Sequence, residues 1–201
     1  LPAREQRLRQ VLEPVRSQYD FILIDCPPSL NMLTVNGLVA ADGVLIPMQC
    51  EYYALEGLSA LVNTIQRIAA ALNPSLRIEG LLRTMYDPRN SLTNEVSSQL
   101  HKYFGDKVYR TVVPRNIRLA EAPSHGAPVL KYDQASRGAI AYLALRGPGA
   151  GDTDAAAART IDDKSIAVLP FDNRSRQEGD RFFVEGVHDD LLTNLARIGG
   201  L

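Results

Sequence analysis

Apolar residues in the first 145 positions form short unbroken runs that alternate with longer stretches in which they recur every three or four residues. Unbroken apolar runs predict buried β-strands, and the longer spacing predicts amphipathic helices. The runs predict four strands, over residues 21–24, 43–48, 78–85 and 108–113. The stretches around them predict helices over residues 4–18, 31–40, 55–72, 91–104 and 135–145.

The first predicted helix carries one apolar stripe, made of Leu8, Val11, Leu12 and Val15. Pro14 lies inside this stretch, and proline lacks the N–H that a helix interior needs. We therefore expect the helix to bend or shorten there.

Strands and helices alternate throughout these 145 residues, which predicts an α/β fold. The expected architecture is a doubly wound, mostly parallel sheet with helices on both faces. Ligands of such sheets bind beyond the carboxyl ends of the strands. Candidate functional residues are therefore those that directly follow the apolar runs.

The remaining residues differ in character. Residues 146–163 are rich in Gly and Ala without periodicity, which predicts a linker. A short β-α fragment follows, with a strand over residues 165–169 and a helix over residues 189–198. Residues 1–145 carry 15 Lys and Arg against 13 Asp and Glu, whereas the rest carries 7 against 10. We thus expect a domain over residues 1–145 and a separate segment over residues 164–201.

Composition excludes several classes of protein. Of the 201 residues, 45% are hydrophobic and 22% are charged, which is typical of a folded globular chain and not of a disordered one. No apolar run approaches the roughly 20 residues that cross a bilayer. Cys26 and Cys50 have no metal-site spacing and form no disulfide framework, so we expect buried thiols in a reducing, cytoplasmic compartment.

The most informative segment is the first apolar run and the residues after it, YDFILIDCPPSL. Apolar residues followed by a carboxylate form the Walker B pattern, in which Asp25 would hold a Mg²⁺-bound water beside nucleotide phosphates. Pro27 and Pro28 would stiffen the backbone as it leaves the strand, as in a phosphate-sensing switch loop. The pattern alone leaves open that Asp25 is a turn or helix-cap residue.

Four motifs in order make residues 1–145 resemble the ParA/Soj branch of the deviant Walker ATPases, which are P-loop NTPases. They are YDFILIDCPPSL, LIPMQCEYYALEGL, TMYDPRNSL and VVPRNIRLAEAPSHGAPVLKYDQASRGAIAYLAL. The resemblance implies chromosome or plasmid partitioning driven by ATP and Mg²⁺. It also implies a homodimer, a ParB-like partner and a location on the nucleoid.

The resemblance also implies roles for individual residues. Asp25 matches the Walker B carboxylate that holds magnesium through water, and Pro27, Pro28 and Ser29 match the switch loop. Five residues would lie near the nucleotide base after the third and fourth strands: Met85, Tyr86, Pro114, Arg115 and Asn116. Glu51 and Tyr52 match a segment near the dimer face.

The family's phosphate-binding loop has no counterpart in this sequence, where the pattern G-x-x-x-x-G-K-[ST] does not occur. Phosphoryl transfer depends mostly on positioning and charge stabilisation by that loop and its lysine. We therefore expect the chain neither to bind ATP tightly nor to hydrolyse it. The loop's strand is central in the family, so the sheet should be marginal unless another chain or domain fills its place.

A basic stretch over residues 101–118 suggests a second activity, which is DNA binding without sequence preference. It holds five Lys or Arg and one acid, a composition that could contact phosphates or could be an ordinary solvated face. With the resemblance, DNA contact is favoured, and Lys102 and Arg118 are the preferred contacts.

Residues 164–201 resemble the opening of the TolB-like domain, on the motifs IAVLPF, FVEG and DLL. The segment is too short to hold a core unaided. Because the phosphate-binding loop is absent and this second segment is short, two alternatives to a partitioning ATPase remain open. They are a non-catalytic interaction module and a non-functional gene-fusion product.

Overall fold

The computed structural model describes residues 3–27, 31–52 and 54–145, together with the backbone of residues 165–168. In this part of the chain, five strands form one parallel sheet in the order β1-β5-β2-β3-β4. The strands are β1 (Ile22–Asp25), β2 (Gly43–Gln49), β3 (Arg77–Tyr86), β4 (Val108–Pro114) and β5 (Ser165–Val168).

Helices connect the strands, and those predicted over residues 31–40, 55–72, 91–104 and 135–145 form within about two residues of the predicted bounds. They are α1 (Arg7–Leu12), α2 (Met32–Ala40), α3 (Ala54–Ala71), α4 (Ser91–Phe104), α5 (Ile117–Glu121), α6 (Val129–Tyr132) and α7 (Arg137–Leu143). None of these helices is long and apolar enough to cross a membrane. The predicted doubly wound parallel fold is confirmed, whereas the helix predicted over residues 189–198 lies outside the described residues.

The predicted first helix is interrupted, as Pro14 led us to expect. Helix α1 ends at Leu12, and Glu13–Gln18 forms a 3-10 helix with Pro14 in its first turn. The apolar stripe is only partly used, since Val11 is 69% exposed. This region packs on α2, where the Asn36 amide donates to the carbonyl of Arg4 at 3.0 Å.

Strand β1 differs from its prediction as a fully buried strand. Its first three residues are half-buried and Asp25 is exposed. The reason is its position, because β1 stands at one end of the described sheet and has a described neighbour only in β5. Among the four strands whose burial the structure describes, β2 has every residue buried, and it lies inside the sheet.

Two apolar clusters, one on each face of the sheet, hold the helices in place. Side chains of β2 alternate between them, with Val44 and Ile46 in the first cluster and Leu45 in the second. The first cluster takes apolar residues of α2, α3 and α4, and the second takes those of α5, α6 and α7. Burial on both faces explains why the strands are unbroken apolar runs.

Candidate functional site

The candidate site lies along one edge of the sheet, where the parallel strands end. Asp25, Gln49, Tyr86 and Pro114 are the last residues of β1, β2, β3 and β4. Asp25 is separated from β3 by two intervening strands, which corresponds to about 14 Å at the usual strand spacing. The edge therefore brings the predicted residues into one row, with Asp25 at one end and Tyr86 and Pro114 at the other.

Beyond Asp25, the chain turns into the start of α2. The hydroxyl of Thr34 donates to the carbonyl of Pro27 at 3.4 Å, and the Asn31 side chain accepts from the amides of Leu33 and Thr34. Pro27 is thus fastened to the first turn of a capped helix. Pro28 and Ser29, the other predicted switch residues, lie outside the described residues.

Helix α2 approaches the end of β1 very closely. A Cβ placed on Gly37 would lie 2.7 Å from the Sγ of Cys26, so any larger residue would force the thiol or the helix to move. Burial raises the pKa of the Cys26 thiol to about 11, and the nearby charge of Asp25 adds to the effect. The thiol is therefore protonated at neutral pH and is a poor nucleophile and metal ligand.

Asp25 supplies the kind of ligand that Mg²⁺ prefers, namely a carboxylate oxygen at an exposed position. Within the described residues, no group of three or more His, Cys, Asp or Glu side chains is placed to hold a metal ion. Magnesium commonly uses one or two carboxylates together with substrate phosphates and water. The arrangement around Asp25 fits a magnesium ion that arrives with a phosphate ligand.

At the other end of the row, β3 and β4 bring Tyr86 and Pro114 opposite each other. The amide of Arg115 donates to the carbonyl of Tyr86 at 3.4 Å, and the Tyr86 hydroxyl bonds the side-chain oxygen of Asn94 at 2.8 Å. The sequence pattern ends the third strand at residue 85 and the fourth at residue 113, which places Tyr86 and Pro114 after them. The structure corrects this, because β3 extends to Tyr86 and β4 extends to Pro114.

Met85 does not present its side chain to this edge. Its backbone has a φ of 53°, and the register between β3 and β4 shifts between Arg83 and Tyr86. The side chain is buried in the second apolar cluster, which also contains Leu82 and Val113. The Met85 side chain is therefore part of the core, and the predicted place of this residue near a nucleotide base stays a prediction. A left-handed backbone is costly for a residue with a Cβ, and such strain often accompanies functional sites.

Asn116 has a structural role that the sequence analysis missed. It is the N-cap of α5, and its side-chain oxygen accepts from the amide of Arg118 at 3.0 Å. Arg115, immediately before it, is exposed. The signal was present in the sequence, since Asn before an apolar-periodic stretch is a typical cap.

The two predicted DNA contacts have different surroundings. Arg118 pairs with two carboxylates, Glu121 at 2.8 Å and Asp133 at 3.3 Å, and the hydrogen bond to Glu121 raises its pKa. Lys102 is exposed, with its Nζ 5.9 Å from the centre of the Tyr103 ring. Two acids thus offset the charge of Arg118.

Gln49 is a site residue that sequence reasoning did not single out. It ends β2, is only 9% exposed, and its side-chain oxygen has no hydrogen-bond partner in the described part of the chain. Its neighbour in the ladder is Thr84 of β3. A polar residue that ends an apolar run was the available signal in the sequence.

Tyr52, a few residues later, is 71% exposed. Its predicted place near the dimer face stays a prediction.

Comparison with known proteins places this geometry in a family. A family model described as an AAA domain matches residues 1–78. The chain is 70% identical over 147 residues to an uncharacterised protein of Pseudomonas putida, covering 73% of this chain and 56% of that protein. It is 58% identical over 143 residues to the sporulation initiation inhibitor protein Soj of Bacillus subtilis, covering 71% and 56%. It is also 55% identical over 144 residues to the chromosome partitioning protein ParA of Caulobacter vibrioides, covering 71% and 54%.

The matched part of the chain belongs to the ParA/Soj family. The chain spans about half the length of the curated relatives that it matches. Among solved structures, it is similar to cobyrinic acid a,c-diamide synthase of Mycobacterium smegmatis with bound ADP and magnesium. That likeness has a TM-score of 0.57 and 33% identity, and covers 71% of this chain and 51% of that one. The ParA/Soj resemblance seen in the four sequence motifs is thereby confirmed.

Proposed function

We propose that residues 1–145 supply the Walker B half of a ParA/Soj-type ATPase that partitions chromosomes or plasmids. The supporting observation is the exposed carboxylate of Asp25 at the carboxyl end of a strand in a parallel sheet. The identity to Soj and ParA and the likeness to an enzyme that holds ADP and magnesium support the same role. In this role Asp25 orients a Mg²⁺-bound water beside the phosphates.

Residues at the far end of the row would meet the nucleotide base. Tyr86, Pro114 and Arg115 are held together by the pairing of β3 with β4. An extended nucleotide could reach from these residues to Asp25, because all of them lie where the parallel strands end. In this proposal Asn116 acts as a positioning residue, since its side chain caps α5.

As it stands, this chain would neither bind ATP tightly nor hydrolyse it. Its sequence has no G-x-x-x-x-G-K-[ST] loop to cradle the phosphates, and a carboxylate that faces a polyanion repels it. Equilibrium titration of the full chain with Mg·ATP should show no saturation in the micromolar range. The Bacillus subtilis Soj protein, titrated in parallel, is the positive control. Micromolar affinity in this chain would overturn the proposed inactivity.

The role of Asp25 can be tested separately, by joining the N-terminal part of the Soj protein to residues 1–145 of this chain. We expect this chimera to hydrolyse ATP, and Asp25→Asn to lower its kcat about 100-fold, because metal-assisted charge stabilisation contributes several kcal/mol. Asp20→Asn is the matched control, as Asp20 is exposed and lies just before β1. Equal activities of the two variants would remove Asp25 from the mechanism.

Binding to DNA is the second part of the proposal, with Lys102 and Arg118 as contacts. Five basic residues of the stretch 101–118 are exposed: Lys102, Lys107, Arg110, Arg115 and Arg118. Exposed basic residues favour phosphate contact without sequence preference. In the family this binding accompanies a dimer and a ParB-like partner, which we propose for the complete protein.

A further inference from the structure

Strands β1 and β2 follow each other along the chain but are not neighbours in the sheet. Helix α2 connects them, and the crossover skips one position, which we call the β1–β2 slot. Strand β5 fills this slot and runs parallel to both strands. Ile22–Asp25 pairs with Ser165–Val168 over its whole length, and Gly43 to Leu45 pair with residues 166–168.

The occupant comes from the part of the chain that lies beyond the predicted linker. Ser165–Val168 begins the segment whose sequence resembles a different domain, and the sequence analysis treated that segment as separate. The backbone of this strand instead lies inside the sheet built by residues 1–145.

We infer that the β1–β2 slot is a strand-binding site, and that Ser165–Val168 of the same chain is its occupant and completes the fold in cis. Without a strand in the slot, residues 22–25 of β1 and residues 43–45 of β2 would lose their ladder partners. Unpaired backbone groups are costly in β2 in particular, because Gly43 to Leu45 are buried.

The sequence of the occupant suits a central position. Ser165, Ile166, Ala167 and Val168 include no charge and no proline, so every residue can donate to a ladder. Uncharged, largely apolar runs are typical of parallel strands that are covered on both faces.

The connection is long enough to reach the slot. Nineteen residues separate Leu145 from Ser165, and a chain of that length can span at most about 60 Å when fully extended. Three strand spacings, or about 14 Å, separate β4 from the slot. A tethered strand also has an effective concentration of about a millimolar, which favours it over a strand of a second copy at micromolar concentration.

Strand β5 also brings the C-terminal segment to the candidate site. Val168 pairs with Asp25, so β5 ends at the same edge as the Walker B carboxylate. The occupant of the slot therefore sets the position of the strand that carries Asp25. This role is independent of whether the chain handles a nucleotide.

Proline scanning of the full chain tests this inference. Ala167→Pro removes an N–H from the centre of β5, and Ala157→Pro makes the same change in the predicted linker as the matched control. We expect Ala167→Pro to speed hydrogen exchange at the amides of Ile22–Asp25 and residues 43–45 at least about tenfold. Ala157→Pro should leave this exchange unchanged. Equal exchange in the two variants would overturn the inference.

A cross-link keeps the inference testable if Ala167→Pro does not fold. In a full chain with Cys26→Ala and Cys50→Ala, Ile24→Cys with Ala167→Cys places two thiols at paired positions of β1 and β5. Paired parallel residues are about 4.8 Å apart, within the range that a disulfide bridges. Mild oxidation should give a disulfide within one chain, and Ile24→Cys with Ala157→Cys should not. A disulfide between two chains, or none, would contradict occupation in cis.

Discussion

Arg83 of β3 donates a hydrogen bond to the hydroxyl of Ser97 on α4, at 2.8 Å. The guanidinium also donates to the carbonyls of Tyr109 and Arg110, and the residue is only 7% exposed. Neutral oxygens of α4 and β4 thus accept from its two terminal nitrogens, whereas its buried Nε has no hydrogen-bond partner in the described part of the chain. Burial lowers the pKa of Arg83, which indicates that its surroundings compensate only in part for the lost hydration of the guanidinium.

Ser97→Ala should therefore lower the free energy of unfolding by about 1 to 3 kcal/mol, because it removes an acceptor from a buried charged donor. Ser98→Ala is the matched control, since Ser98 is exposed on the same helix and bonds only the carbonyl of Asn94. That change should stay within about 0.5 kcal/mol. Urea unfolding measures both, and equal losses would contradict the role of Ser97.

Asn73 fastens the end of α2 to the turn before β3. It is 2% exposed, and its amide donates to the carbonyls of Leu38 at 2.9 Å and Ala41 at 2.7 Å. Asn73→Ala should cost about 2 to 3 kcal/mol, because two buried carbonyls lose their donor. Asn63→Ala, on the exposed face of α3, should cost far less. Thermal unfolding that does not separate the two variants would show that these bonds contribute little.

Gly138 lets α7 pack on α5. A Cβ at this position would lie 2.5 Å from the Cγ of Leu119, which is fully buried. We expect Gly138→Ala to destabilise the fold by about 1 to 3 kcal/mol despite the better helix propensity of Ala. In a double-mutant cycle, Leu119→Ala should relieve part of this cost. Strictly additive free energies would mean that the two residues do not clash.

The two buried cysteines should make stability fall in alkali. Burial raises the pKa of Cys26 and of Cys50 from 9.0 to about 11 in the folded chain. The contribution of the two thiols to the free energy of unfolding is therefore fully present below about pH 9, where they are protonated in both the folded and the unfolded chain. It is lost as the pH rises toward about 11.

The urea midpoint of the full chain should thus fall more steeply with pH, between pH 9 and 11, than the midpoint of the double variant Cys26→Ala with Cys50→Ala. Burial also raises the pKa of Tyr109 to about 12, so this residue adds to the loss of stability at higher pH, but it does so equally in both chains. Parallel slopes across this window would show that the thiols titrate normally in the folded state.

The proposed DNA contacts predict a change in salt dependence. Replacing Lys102 and Arg118 with Ala should reduce the slope of log K against log salt by about 1 to 2, since each phosphate contact contributes about 0.9. The smaller share should come from Arg118, which is already paired with Glu121 and Asp133. Arg67→Ala is the control, because Arg67 is exposed on α3, outside the basic stretch. An unchanged slope in the double variant would remove both residues as contacts.

The sequence by itself determined which elements form and in what order. Apolar runs located the strands to within about two residues, and the helix over residues 91–104 was predicted with its observed bounds. These features depend on local periodicity and on caps such as Asn90, which are local in the chain. The short helices α5 and α6 were missed, because one or two turns show too little periodicity.

Only the tertiary structure decided which side chains are in contact and which strands are neighbours. The sequence could not show that the Met85 side chain is buried in one cluster with Val113 of β4, since that cluster joins residues far apart in the chain. It could not show that Arg118 meets Asp133, fifteen positions away. Nor could it show that Ser165–Val168 enters the sheet between β1 and β2. The reason is physical: a four-residue apolar run specifies a strand, but its partners are chosen by which backbone edges the rest of the fold leaves open.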